Sequence, residues 1–117
     1  LESDYAVYIS NVLANAKAMA NEFVKMGYKI VSDGTDNHMF VLDLSRYPQI
    51  SGNDVQKELE KFHITVNKNC IPGDTKSPKE TSGVRIGTPA MTTKGFSRDD
   101  FITTAQSIDT IIRGMLR

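Results

Sequence analysis

One cysteine, Cys70, is all the thiol the chain has, so it holds no internal disulfide and suits a reducing compartment. Charge of one sign is not in excess either: 14 Lys and Arg stand against 14 Asp and Glu. A nucleic-acid binder neutralises phosphates with a concentrated cationic surface, and this balance argues against one. No apolar run approaches the roughly 20 residues of a membrane-spanning helix, so no bilayer crossing is expected. Leu1-Glu2-Ser3-Asp4 carry neither the basic start nor the apolar stretch of a signal peptide, and none is expected. His38 and His63 lie far apart and no Cys/His set has zinc-ligand spacing, so no metal site is expected. Walker A and dinucleotide fingerprints are missing as well; Gly83 and Gly87 flank a strand-like run rather than opening a helix.

What is there is a 117-residue chain, 39% hydrophobic and 24% charged, the composition of one soluble globular domain over residues 1–117. Ile9, Val12, Leu13, Ala16, Met19, Ala20 and Phe23 recur at helical spacing, which predicts a first helix. Ser3 or Asp4 would cap its start and Gly27 its end. Strands are expected at Tyr28–Ser32 and His38–Leu44, separated by the turn formers Asp33-Gly34-Thr35-Asp36-Asn37. The unbroken apolar run Met39–Leu42 predicts a strand covered on both faces. A short helix follows from about Gly52 to Lys61, with Ser51 and Asp54 as a capping box and Ile50 and Val55 as a hydrophobic staple. Val55, Leu59 and Phe62 make its expected buried stripe.

A third strand is predicted at His63–Val66, placing both histidines at strand starts as ordinary surface residues. Residues 67–82 then show no periodicity, the mark of a functional or mobile loop. Gly83–Gly87 reads as a strand. The last helix has Ser97 as cap, Asp99 and Asp100 at its positive end, and a Phe96–Phe101 staple. Phe101, Ala105, Ile108, Ile112 and Met115 form its stripe, with Arg113 and Arg117 at its negative end. Helix, two strands, helix, two strands, helix predicts an α+β fold, a small and mainly antiparallel sheet covered by helices.

Two features carry possible chemistry. Ile64–Phe96 holds Lys68, Lys76, Lys79, Arg85 and Lys94 against Asp74 and Glu80, a cationic stretch in a neutral chain whose ordinary meaning is a solvated loop. Arg85 lies between Val84 and Ile86, so if those two face the core it projects from the opposite face. An arginine fixed on a strand offers a rigid fork of donors to a carboxylate or phosphate. The alternative is an internal salt bridge to Asp43 or Asp36, and spacing alone does not choose.

Four motifs in register resemble the serine hydroxymethyltransferase family. They are Ser32-Asp33-Gly34-Thr35-Asp36-Asn37-His38, Ile64-Thr65-Val66-Asn67-Lys68-Asn69, Pro72-Gly73-Asp74, and Ser82-Gly83-Val84-Arg85-Ile86-Gly87-Thr88-Pro89-Ala90. Lys76-Ser77-Pro78 and Thr81-Ser82-Gly83 look more like the bacterial members. The resemblance implies the C-terminal small domain of a fold-type I enzyme that uses pyridoxal 5'-phosphate. Such enzymes interconvert serine and glycine and pass a one-carbon unit to tetrahydrofolate; the family is cytoplasmic and homodimeric. It further implies that the large domain, with the cofactor's lysine, lies upstream, that the chain is cut at both ends, and that it holds no catalytic residue and is inactive alone.

Carried over residue by residue, Arg85 falls on the arginine that binds the substrate α-carboxylate. Asn69 falls on the asparagine near the folate ring, and Lys68 with the loop after it near the folate entrance. Asp33 and Lys94 depart from the family pattern, and a lysine at 94 cannot repeat a bidentate arginine contact. The rival expectation is a free-standing α+β ligand-binding or assembly module without catalysis.

Overall fold

A computed structural model describes residues 2–31, 39–87 and 98–117, with side chains from residue 13 onward. Among them run α1 (Glu2–Lys25), β1 (Lys29–Val31), β2 (Met39–Asp43), α2 (Gly52–Glu60), β3 (Asn67–Asn69), β4 (Gly83–Gly87) and α3 (Arg98–Met115). The strands make one antiparallel sheet in the order β1-β2-β4-β3. This is the α+β arrangement the element order predicts.

Helix ends follow from local chemistry. In α1, Ala16, Met19 and Phe23 are buried, and Leu13, expected in the same stripe, is 38% exposed. Gly27 closes the helix at a φ of 96°, where a side chain would be strained. Its N–H donates to the Val24 carbonyl and that of Tyr28 to the Phe23 carbonyl, a Schellman pattern. The Phe23 and Tyr28 rings meet edge to face at 5.5 Å across that turn. At the start of α2 the Ser51 hydroxyl accepts from the Asp54 N–H at 3.0 Å, and the Asp54 carboxylate accepts from the Ser51 N–H at 3.0 Å. The expected capping box is complete, and Ile50 and Val55 are both buried beside it.

The predicted strand at His63–Val66 is a correction. His63 takes a left-handed φ of 62° and closes α2 as a second Schellman pattern. Its N–H donates to the Glu60 carbonyl, and that of Ile64 to the Leu59 carbonyl. The chain turns out of the helix there, so Phe62 is thrown outward and is 55% exposed instead of buried. Pairing begins only at Asn67, and His63 is a helix-end residue. Of the α3 stripe, Phe101, Ala105, Ile108 and Ile112 are fully buried as expected, and Met115 at its end is half-buried. Ser97, Phe96 and His38 lie outside the described residues.

Phe40, Leu42, Val84 and Ile86 join Met19, Phe23, Val55, Leu59, Ile108 and Ile112 in one core, which puts the three helices on one face of the sheet. On the other face Met39 and Val41 are only half-buried, so the double cover expected of β2 is met on one side. A charged clip holds the edge of this assembly. The Tyr28 hydroxyl donates to Asp109 at 2.7 Å, and Arg113 bonds both oxygens of the same carboxylate at 2.9 Å. Burial first, then the bond to Asp109, push the Tyr28 hydroxyl's pKa well above its ordinary range.

Of residues 67–82, read from sequence as aperiodic, the first three form β3 and residues 70–82 a hydrogen-bonded loop around Asp74. One oxygen accepts from the Lys76 N–H at 2.9 Å and the Ser82 hydroxyl at 2.8 Å. The other accepts from the Ile71 N–H at 3.2 Å and the Ser82 N–H at 2.8 Å. The loop then clips onto α2: the Gly52 and Asn53 N–H groups donate to the Thr81 and Glu80 carbonyls, and the Ser51 hydroxyl to the Glu80 carboxylate at 2.7 Å. Thr81 is buried at a φ of 60°, an unusual conformation for a β-branched residue, with its hydroxyl on the Gly83 carbonyl at 2.9 Å.

Two outcomes follow from these contacts. A Cβ at Gly52 would meet the Gly83 carbonyl and the Thr81 hydroxyl, whereas one at Gly114, on the exposed side of α3, meets nothing within 4 Å. Gly52→Ala should therefore destabilise by about 1–3 kcal/mol. Gly114→Ala should stabilise by about 0.5–1 kcal/mol through helix propensity. Denaturant midpoints showing the same sign for both would contradict the packing.

Partial burial of Asp74 alone would raise its pKa, but the hydrogen bonds from Lys76, Ser82 and Ile71 outweigh that and lower it from 3.8 to about 2. Since the folded value is the lower one, the ionised carboxylate stabilises the loop fully above about pH 4. That contribution is lost as pH falls through about 2. The carboxyl carbon shift of Asp74 and exchange of the Ser82 amide should both report a midpoint near 2. An ordinary carboxylate midpoint would refute the clamp.

Candidate functional site on the open sheet face

The strand register decides which residues can meet. Val84 and Ile86 are fully buried, so the alternation of β4 turns Arg85 to the uncovered face, where it is exposed. Arg85 stands directly opposite Val41 on β2 and Asn67 on β3. Asn69 pairs with Gly83, one step along the same face. Diagonal neighbours of this kind lie about 7–8 Å apart, within reach of long side chains. The two residues singled out by the resemblance thus share one face of adjacent strands. Lys68 does not join them: it pairs with Val84, and its alternation puts it on the helix side, with its N–H donating to the Gln56 side chain at 2.8 Å.

The choice left open for Arg85 narrows. Among the described residues it makes no ion pair or side-chain hydrogen bond. Asp43, offered as its partner, is buried and engaged elsewhere: it accepts from the Ser45 N–H at 2.8 Å and faces the Lys29 ammonium at 3.9 Å. Asp36, the other candidate, lies outside the described residues, as do Asp33 and Lys94. What remains is a guanidinium on a central strand, rooted by two buried neighbours and presenting its donors outward. Chemically such a group can take a carboxylate through two parallel, charge-assisted bonds.

Asn69 is half-buried, and its side-chain nitrogen donates to the Cys70 carbonyl at 2.8 Å, which fixes the amide beside the strand end. Cys70 itself is exposed. Ile71 and Val41 pack over Gly83, so closely that a methyl there would stand 2.9 Å from each. Two clefts are lined by other residues. One, of about 300 Å³, is lined by Tyr28, Lys29, Asp43, Arg46 and Tyr47. The other, of about 280 Å³, is lined by Ile50, Ser51, Asp54, Lys76 and Glu80. Neither includes Arg85 or Asn69. Among the described residues no group of three or more His, Cys, Asp or Glu is placed to hold a metal ion. No helix among them is long and apolar enough to cross a membrane.

Sequence reasoning missed Asp74 as an organiser. Its signal was Pro72-Gly73-Asp74, a turn former followed by a residue at a φ of 72° and a short acceptor side chain. Nothing in that tripeptide says that Ser82 will be the main donor.

Comparison with known proteins fits these motifs. The family model for serine hydroxymethyltransferase matches residues 1–108. The chain is 50% identical, over 92% of its length, to the serine hydroxymethyltransferase of Borrelia hermsii. It is 49% identical over 94% to that of Phytoplasma australiense, and 46% over 96% to that of Xanthomonas campestris pv. campestris. It spans 26% to 27% of the length of these curated relatives, about a quarter of each. With four motifs in register and a match over most of its length, the chain belongs to the serine hydroxymethyltransferase family.

Proposed function

We propose that this chain is the C-terminal small domain of a serine hydroxymethyltransferase, which works only with the rest of a longer polypeptide. The complete enzyme would interconvert serine and glycine and pass the one-carbon unit to tetrahydrofolate, with pyridoxal 5'-phosphate supplying the electron sink. Family membership and the one-quarter span of the relatives support this reading. On the same ground the complete enzyme is read as a cytoplasmic homodimer.

The observation that carries the chain's own part is Arg85, exposed on a central strand with no acidic partner among the described residues. Its role is to hold the α-carboxylate of serine or glycine, fixing both distance and orientation through two parallel bonds. Asn69, on the same face, sits toward the folate. Lys76 and Lys79, in the loop after it, suit an anionic glutamyl tail.

Among the described residues no lysine is enclosed in a seat for the cofactor. Lys17, Lys25, Lys29, Lys57, Lys61, Lys68 and Lys79 are exposed and Lys76 is half-exposed, and an imine-forming lysine needs a site from which water is kept out. We therefore read the bond-making chemistry, and the lysine that carries the cofactor, as belonging to the remainder of the polypeptide. No residue of this chain is read as catalytic.

Arg85→Lys in the complete enzyme should weaken glycine and serine binding while leaving the cofactor's resting spectrum unchanged. Lysine keeps the charge but loses one bond and the alignment, a loss of roughly 1.5–3 kcal/mol, or about ten- to a hundredfold in affinity. Turnover should fall as well, because orientation is lost with the second bond. Unchanged glycine affinity would mean that Arg85 is only a surface arginine. For the chain alone, mixing with pyridoxal phosphate followed by dialysis should leave no stoichiometric visible absorbance. A chromophore that survives would place a cofactor lysine in this chain and overturn the division of roles.

A further inference from the structure

The loop joining β3 to β4 connects the two candidate site residues through a few bonds. Asn69 ends β3, and Ile71 two residues later gives its N–H to Asp74. Ser82, immediately before β4, gives the same carboxylate both its N–H and its hydroxyl. The Ser82 carbonyl in turn accepts from the Leu44 N–H at 2.7 Å, just past the end of β2. One side chain thus spans the two ends of the loop, and the segment it grips is tied to the central strand pair. Ile71, held at one end, packs over Gly83 together with Val41.

We propose that Asp74 is a positioning residue for the candidate site: its carboxylate ties the end of β3 to the start of β4 and so fixes where Asn69 stands relative to Arg85. The proposal rests on the reading of those two residues given above. It explains why a carboxylate is needed. Asp74 accepts four hydrogen bonds, two on each oxygen, and donates none through its side chain. An amide has the same shape but one accepting oxygen, and its nitrogen would face two donors whichever way it turned. Loosening the clamp releases Ile71 and Ser82 together, so the amino-acid and folate subsites are disturbed at once. A residue that only held the loop together would change stability and leave both affinities alone.

The test uses the complete enzyme, with glycine and tetrahydrofolate as probes. Asp74→Asn should weaken both ligands on the order of tenfold, since a displacement of about 1 Å at a positioned group can cost up to about a hundredfold. Ser82→Ala removes one of the four bonds and should act in the same direction by less. In an Arg85→Lys background, Asp74→Asn should cause no further loss of glycine affinity, because the effect runs through the arginine's position. Additive losses would overturn the proposal. So would an Asp74→Asn enzyme that melts earlier yet binds both ligands like the parent. If Asp74→Asn does not fold, Ser82→Ala decides alone, and parental affinities for both ligands would refute the clamp. Failure of the Arg85 reading is distinguishable: Arg85→Lys would then bind glycine normally, while Asp74→Asn would still weaken tetrahydrofolate through Asn69.

Discussion

Burial of Val84 and Ile86 on the helix side of β4 fixes the pleat of that strand, and a period of two then leaves Arg85 only the uncovered face. Each of these two side chains contributes about 1.5–3 kcal/mol when removed from water, so rotating the strand would forfeit both. The same constraint spreads through the register. Once β4 is oriented, Val41 and Asn67 opposite Arg85 and Asn69 opposite Gly83 must share its face. The place of Arg85 at the surface is thus a consequence of apolar packing beneath it. The polar residues contribute donors; the core decides where those donors are.

The helices serve that constraint from three directions, and each is stopped by a local device. Two Schellman closures, at Gly27 and His63, turn the chain back toward the sheet at fixed angles. The capping box at Ser51 starts α2 where the Gly52 backbone touches that of Gly83. Helix α3 is pinned at its far side by the Tyr28–Asp109–Arg113 clip, a semi-buried charge cluster whose carboxylate is satisfied from two elements. A carboxylate so shared resists rearrangement because moving either partner leaves a desolvated charge behind.

Much of this was legible in the sequence, wherever the signal is periodic or lies within a few residues. The stripe of α3, the box at Ser51 and Asp54, Gly27 as a stop and the outward face of Arg85 all belong to that class. Errors fell where long-range geometry decides. Ile64 and Val66 alternate as a strand would, but the left-handed turn at His63 uses Ile64 to finish α2, and Phe62 is left outside. Residues 67–82 have no period, so their order was invisible. It comes from one acceptor side chain gathering donors from Ile71, Lys76 and Ser82. Likewise Asp43 was offered as a partner of Arg85, and the pairing of β1 with β2 sets it beside Lys29 instead.

The spacing Gly83, Arg85, Gly87 places a residue without a side chain on either side of the guanidinium, on the same face. Those two gaps are not equivalent. Over Gly83 the space is taken by Ile71 and Val41, whereas Gly87 stands half-exposed opposite Met39. The Gly83 end of β4 is therefore blocked on this face. A carboxylate taken by Arg85, as proposed above, would meet the Ile71 and Val41 side chains beyond the guanidinium, a hydrophobic stop on the Gly83 side. A ligand that must be held in one orientation gains from such a dead end, since it can be pushed against the stop but not past it.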